Sequence, residues 1–210
     1  MISVVLADDH ALIREGLKKV LEKENDISVV FEAERGQQVL DFLDQEKPNV
    51  VILDINLPDM SGLDAIHSVQ DLSPGTFVLV LSVYSEERFA VRALKSGAAG
   101  YLSKASAADE LISAIRKVFS GERYISQATA ETIIREMSRP QDKMSHESLS
   151  NREFQIMFML IKGKSVRDIS SELELSISTV HTYRGRILAK MNLKSTQELV
   201  FYAFDQGLIQ

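Results

Sequence analysis

Residues 50–58 read Val50-Val-Ile-Leu-Asp54-Ile-Asn-Leu-Pro58. Four consecutive apolar residues, three of them β-branched, suit a strand buried on both faces, and a carboxylate closes the run where that strand would end. Similar runs recur on either side: Ile2-Ser-Val-Val-Leu-Ala7, Ile27-Ser-Val-Val-Phe31, Phe77-Val-Leu-Val-Leu81 and Ala99-Gly-Tyr-Leu102. Between them lie amphipathic stretches near 11–24, 36–45, 62–71, 86–96 and 107–119, the first with an apolar stripe of Leu12, Leu17, Val20 and Leu21. Strand and helix alternating five times predict an α/β domain over residues 1–120, built on a five-stranded, doubly wound parallel sheet.

Beyond Gly121 the β-branched runs stop and the pattern turns helical. Ala130, Ile133, Ile134 and Met137 predict a helix over 127–137. The polar, proline-containing stretch 138–148 then reads as a linker, so that residues 121–146 join the first domain to a smaller all-α domain over 147–210. Charge follows the same division. The chain carries 24 basic and 30 acidic residues, a net −6, yet residues 1–120 hold 12 basic and 19 acidic while residues 145–210 hold 8 and 7. Hydrophobic residues make up 45% of the chain, which supports folded cores and excludes disorder as the main state. With no cysteine, disulfides, thiolate zinc sites and cysteine nucleophiles are excluded. The amino-terminal residues lack a basic leader, and no uncharged apolar run approaches the roughly 18 residues of a membrane span, so a cytoplasmic protein is expected.

The predicted strand ends gather reactive side chains. Asp8 and Asp9 follow the first strand, Asp54 ends the third, Ser82 the fourth, and Lys104 follows the fifth. Ligands of open parallel sheets sit outside the carboxyl ends of the strands, so these groups can converge. Carboxylates a few ångströms apart repel by roughly 4 kcal/mol per pair at an effective dielectric near 20. A hard cation offsets this, and Mg²⁺ suits one or two carboxylates, water, a phosphate and a carbonyl such as that of Asn56. Asp54 is then the nucleophile that accepts a phosphoryl group, Lys104 the neutralising cation and Ser82 a hydroxyl donor.

Asp8-Asp9-His10, Asp54-Ile-Asn-Leu-Pro58, Leu81-Ser82 and Tyr101-Leu-Ser-Lys104 resemble the receiver domain of two-component response regulators in order, spacing and strand position. The resemblance covers residues 1–120 and implies a flavodoxin-like receiver fold. It implies that Asp54 takes phosphate from a sensor histidine kinase, that Asp8 and Asp9 hold Mg²⁺ with Asp54 and the Asn56 carbonyl, and that Ser82 and Tyr101 shift on phosphorylation. Many receivers have proline after the lysine, often in cis; here Ala105 follows, which leaves that isomer open. His10 reads simply as a residue at a helix start.

In the last 64 residues, Ser150 precedes Glu153 as a capping box and an apolar helix follows to Ile161. A short helix is predicted from Val166 to Leu173, and a longer one from Ile177 to Met191 capped by Ser176. That is the geometry that lays a helix in the major groove. On a 100° wheel Val180, Tyr183, Ile187, Leu188 and Met191 face inward. Ser178, His181, Thr182, Gly185 and Arg186 face away as base or phosphate contacts, with Thr179, Lys190 and Lys194 as backbone contacts. Arg184 falls near the inward side and is expected to pair with Glu153. The run Leu149-Ser-x-Arg-Glu153, Gly163-Lys-Ser165, Ser178-Thr-Val180 and Ile187-Leu-x-Lys190-Met resembles the LuxR-type helix-turn-helix of the NarL/FixJ branch. That resemblance implies a final dimerisation helix over 196–206, with Leu199, Val200 and Ala203 as contacts.

The reading is a phosphoacceptor regulator, not an enzyme, that binds double-stranded promoter DNA as a homodimer when phosphorylated. Two rivals belong to other classes. A haloacid-dehalogenase-like Mg²⁺-dependent phosphatase would want aspartate two residues after the nucleophile, where Asn56 stands. A protein-binding adaptor would use the same carboxy-terminal helices without DNA.

Overall fold

A computed structural model of the chain describes residues 1–83, 87–127, 130, 131, 134 and 145–209. The chain divides into two compact units, Met1–Ser138 and Arg139–Gln210. In the first, strands and helices alternate as β1 (Ile2–Ala7), α1 (Ala11–Leu21), β2 (Ile27–Ala33), α2 (Gly36–Leu43), β3 (Val50–Asp54), α3 (Gly62–Leu72), β4 (Phe77–Ser82), α4 (Glu87–Lys95), β5 (Gly100–Ser103) and α5 (Ala107–Phe119). The strands form one sheet in the order β2-β1-β3-β4-β5, every pairing parallel. The central strand β3 is buried at every residue, as its unbroken apolar run requires, whereas β2 at the edge is only partly covered.

β2 lies on one side of β1 and β3 on the other, so the strand order reverses at β1. The carboxyl ends of these two strands flank the crevice where doubly wound sheets hold ligands. Leu17 and Leu21 of α1 and Leu111, Ala114, Ile115 and Val118 of α5 pack on one sheet face with Val4, Leu6, Ile52 and Leu79. Two details of α1 differ from the periodicity. It stops at Leu21, because the next residues, Glu22 to Asn25, have no apolar side chain to bury. Leu12 is 87% exposed, and its neighbour Ile13 supplies the packing contact instead.

A pairing absent from the sequence pattern follows α5. Tyr124 donates its N–H to the Ala99 carbonyl (3.0 Å) and accepts from the Tyr101 N–H (3.1 Å), bridging parallel to Gly100 on β5. Gly100 is needed for this approach, since a Cβ there would lie 2.9 Å from both Tyr124 Cβ and its carbonyl oxygen. Ile133 and Met137 of the helix predicted over 127–137, and residues 138–144 of the predicted linker, lie outside the described residues.

The second unit begins within that predicted linker. Ser145–Ser148 form a 3₁₀ turn, and His146 is buried, its Nδ1 2.7 Å from the Tyr202 hydroxyl. Four helices follow: α6 (Asn151–Ile161), α7 (Val166–Glu172), α8 (Ile177–Lys190) and α9 (Thr196–Asp205). Each starts on a serine, Ser150, Ser165, Ser176 or Ser195, whose side chain accepts the N–H three residues on. Every residue of α6 from Glu153 to Ile161 is buried, and α7, α8 and α9 pack around it. Gly163, at φ +83°, turns the chain out of α6, and Glu174, at φ 49°, makes the turn between α7 and α8. Among the described residues no helix is long and apolar enough to cross a membrane.

Candidate functional site

The crevice at the reversal of strand order holds the expected groups. Asp8 continues from β1 and Asp54 ends β3, both with only 2% of their surface exposed. From beyond β5, Lys104 reaches between them, its Nζ 2.5 Å from Asp8 Oδ2 and 2.7 Å from Asp54 Oδ2. The Lys104 N–H donates to the Ser82 carbonyl (2.7 Å), which ties the lysine to the end of β4. Its peptide to Ala105 is trans. Asp54 Oδ1 accepts the Asn56 N–H (3.1 Å), and Asp8 Oδ1 accepts the His10 N–H (2.9 Å).

Burial raises the Asp54 carboxyl to about 6; the Lys104 charge opposes that rise and the Asp8 charge adds to it. For Lys104 burial acts to lower the ammonium, but the Asp54 and Asp8 carboxylates outweigh it and hold the group above its ordinary value. One lysine therefore shares two buried acids, and Asp9 brings a third carboxylate. Ligand atoms of Asp8, Asp9, His10 and Asp54 all lie within 4.8 Å of one another. Asp8 Oδ2 and Asp9 Oδ1 are buried oxygens without a well-formed hydrogen bond among the described residues, lying close to the Lys104 ammonium and the His10 imidazole. Buried, underbonded carboxylate oxygens beside a single ammonium fit a small divalent cation.

Ser82 is fully buried at the end of β4, and Tyr101 on β5 is 6% exposed. The strand-end residues predicted from sequence thus gather in or beside one crevice. His10 stands at the start of α1, as its place in the sequence suggests, and its imidazole Nδ1 lies 2.7 Å from Asp9 Oδ1.

In the second unit, Ser178, His181, Thr182, Gly185, Arg186 and Lys190 are exposed along α8, while Val180 and Ile187 are fully buried. Thr179 and Tyr183 sit half-buried at the margin. Ser178, Thr179, Thr182, Tyr183 and Arg186 line a shallow polar hollow of about 250 Å³. The side chains of Arg186 and of Lys194, just past α8, make no ion pair among the described residues.

Two sequence expectations need correcting here. Glu153 pairs with Lys190 (Nζ to Oε2, 2.6 Å) and not with Arg184, which is half-buried with no ion pair among the described residues. The last turn of α8 reaches back to the amino-terminal end of α6, where Glu153 also accepts the Ser150 N–H (2.8 Å). Lys190 therefore brings a partly neutralised charge to the α8 surface. On α9, Leu199 and Ala203 are fully buried in the unit's own core and cannot meet a partner. The apolar side chains that α9 exposes are Val200 (36%), Phe201 (71%) and Phe204 (65%).

The response regulator receiver domain family matches residues 4–116, and the luxR family of bacterial regulatory proteins matches residues 147–203. The chain is 38% identical over 209 residues to the response regulator UvrY of Escherichia coli (strain K12), covering 99% of this chain and 96% of that protein. It is 38% identical over 210 residues to the response regulator GacA of Pseudomonas aeruginosa, covering 100% and 98%. The crystal structure of a LuxR-family two-component response regulator from Aurantimonas sp. SI85-9A1 is similar with a TM-score of 0.61 and 28% identity, over 65% of this chain and 98% of that one. RcsB of Salmonella enterica serovar Typhimurium, bound to promoter rprA, shares the fold with a TM-score of 0.63 and 23% identity, over 96% and 98%.

Proposed function

This chain belongs to the two-component response regulators of the NarL/FixJ branch, a receiver joined to a LuxR-type helix-turn-helix, and from that membership we propose that Asp54 is its phosphoacceptor and α8 its DNA-reading helix. The observation that carries the proposal is the Lys104 ammonium held between the buried carboxylates of Asp8 and Asp54. In the transfer, an Asp54 oxygen attacks the phosphorus of a phosphohistidine on a sensor kinase. The P–N bond breaks and its electron pair leaves with the imidazole, so an acyl phosphate forms on Asp54. Lys104 is already in place to meet the incoming phosphoryl oxygens, and the Asn56 N–H fixes the rotation of the carboxylate. A Mg²⁺ ion held by Asp8, Asp9 and Asp54 with the Asn56 main-chain carbonyl would supply the remaining positive charge. Ser82 donates its hydroxyl to the phosphoryl group, and Tyr101 on the neighbouring strand moves with it.

The output is promoter binding in the cytoplasm. Ser178, His181, Thr182, Gly185 and Arg186 face the duplex, with Thr179, Lys190 and Lys194 toward phosphates. Phosphorylation favours a homodimer, to which α9 contributes the exposed Val200, Phe201 and Phe204. Labelling with a small phosphodonor and Mg²⁺ tests the acceptor: the wild-type chain takes up one phosphoryl group, and Asp54→Asn takes up none because an amide is a poor nucleophile. Stoichiometric, acid-stable label on the mutant would overturn the assignment.

A further inference from the structure

Two kinds of side chain wall the hollow on α8. Three are engaged by the helix's own first turns: the Ser178 and Thr179 hydroxyls each lie 2.7 Å from the Ser176 hydroxyl, and the Thr182 hydroxyl donates to the Ser178 carbonyl (3.0 Å). Tyr183 and Arg186 differ. Both line the hollow, and neither the Tyr183 hydroxyl nor the Arg186 guanidinium has a hydrogen bond or an ion pair among the described residues. Both groups are donors, and no carboxylate of the described residues lines the hollow, so its chemistry suits an oxyanion.

Position on the helix identifies that oxyanion. At about 100° per residue, Thr179, Tyr183 and Arg186 fall within about 60° of one another, on a flank between the buried stripe of Val180 and Ile187 and the outward stripe of Ser178 and Thr182. A helix about 10–12 Å across fills a major groove about 12 Å wide, so its outward stripe meets base edges while its flanks lie against the phosphates. We propose that the hollow receives one phosphate of the DNA backbone and that Tyr183, which the helical wheel assigns to the inward side, is a DNA-contacting residue. Its hydroxyl donates to one phosphate oxygen and Arg186 donates to another. Tyr183 is half-buried, which suits an apolar ring seated on the protein with a polar tip left for a ligand. The inference rests on α8 being the DNA-reading helix.

Tyr183→Phe removes the hydroxyl and keeps the ring. With the full chain, acetyl phosphate, Mg²⁺ and a duplex selected from a random pool, fluorescence anisotropy should show binding weakened about tenfold for each protomer bound, the lower end for a hydrogen bond to a charged group. The loss should be the same on a duplex with altered bases, because a phosphate contact carries no sequence information. The slope of log affinity against log salt should keep its wild-type value in Tyr183→Phe and become shallower by about one per protomer in Arg186→Ala, since only the second variant loses a charge. The melting temperature of Tyr183→Phe should match that of the wild type, as the hydroxyl has no partner to lose among the described residues. Wild-type affinity in Tyr183→Phe, or a loss that differs between the two duplexes, would overturn the phosphate site while leaving α8 as the reading helix. A melting temperature lowered by several degrees would make the hydroxyl structural and overturn it equally. A wild-type chain that selects no duplex would overturn the DNA reading and this inference together.

Discussion

Asp54 carries its full charge only at a cost. With its carboxyl raised to about 6 chiefly by burial, the folded receiver binds a proton that the unfolded chain has released above pH 3.8. The stability of the metal-free receiver therefore falls as pH rises from about 4 to about 6, by at most roughly 3 kcal/mol. A cation competes with that proton, so Mg²⁺ should raise the melting temperature of the receiver more at pH 7.5 than at pH 5, and its affinity should climb through pH 6. Calorimetric scans at both pH values, with and without Mg²⁺, check this; a pH-independent Mg²⁺ effect would contradict it. Glu153 behaves in the opposite sense. Burial pushes its carboxyl up, but Lys190 and Ser150 outweigh it and hold the group below its usual value, so its stabilisation is complete above the unfolded value of 4.5 and is lost as pH falls further. Glu153→Ala removes the ion pair and half of the capping box. It should cost the second unit about 2 kcal/mol at pH 7, read by urea unfolding of the full chain, with the deficit shrinking below pH 4. The partner of Glu153 was misread from sequence because a helical wheel gives direction and not reach. Arg184 lies nearer the inward side, but Lys190 has the stem to turn back toward α6.

At the level of elements, the strands and the acids at their ends were legible because buried parallel strands leave unbroken apolar runs, and a polar residue ending such a run stands out. Tyr124 left no such trace. One residue bridging an edge strand needs no periodicity, and Gly100, the residue that permits the approach, reads only as one more position in the fifth strand's short run. His146 was hidden likewise, a lone histidine in a polar stretch whose burial depends on Tyr202, 56 positions away. The face of α9 was readable and misassigned. Leu199 and Ala203 stand four apart on one side, the spacing of a stripe that packs inward, while Phe201 and Phe204 fall on another. Leu199→Ala should accordingly unfold or loosen the second unit, at about 2–5 kcal/mol, as a buried truncation does. Phe201→Ser with Phe204→Ser should leave its melting temperature within a few degrees and abolish phosphorylation-dependent dimerisation in sedimentation velocity. Unchanged dimerisation in that double variant would remove α9 from the interface.

Across the whole molecule, the acid excess sits in the receiver and the second unit is close to neutral, so DNA affinity depends on a few cations placed along α8 and its exit. On the proposed reading, Arg186, Lys194 and the half-paired Lys190 in each protomer give about six phosphate contacts in a dimer. Affinity for a selected duplex should therefore fall about a thousandfold between 50 and 200 mM salt. A flat salt series would favour a protein partner for this surface. The coupling of the two units is tested most directly by fluorescence anisotropy on such a duplex, comparing the wild-type chain with Asp54→Asn, each with and without acetyl phosphate and Mg²⁺. The donor should tighten wild-type binding about tenfold and leave Asp54→Asn unchanged. Equal tightening in both proteins, or none in the phosphorylated wild type, would contradict a DNA switch worked by Asp54.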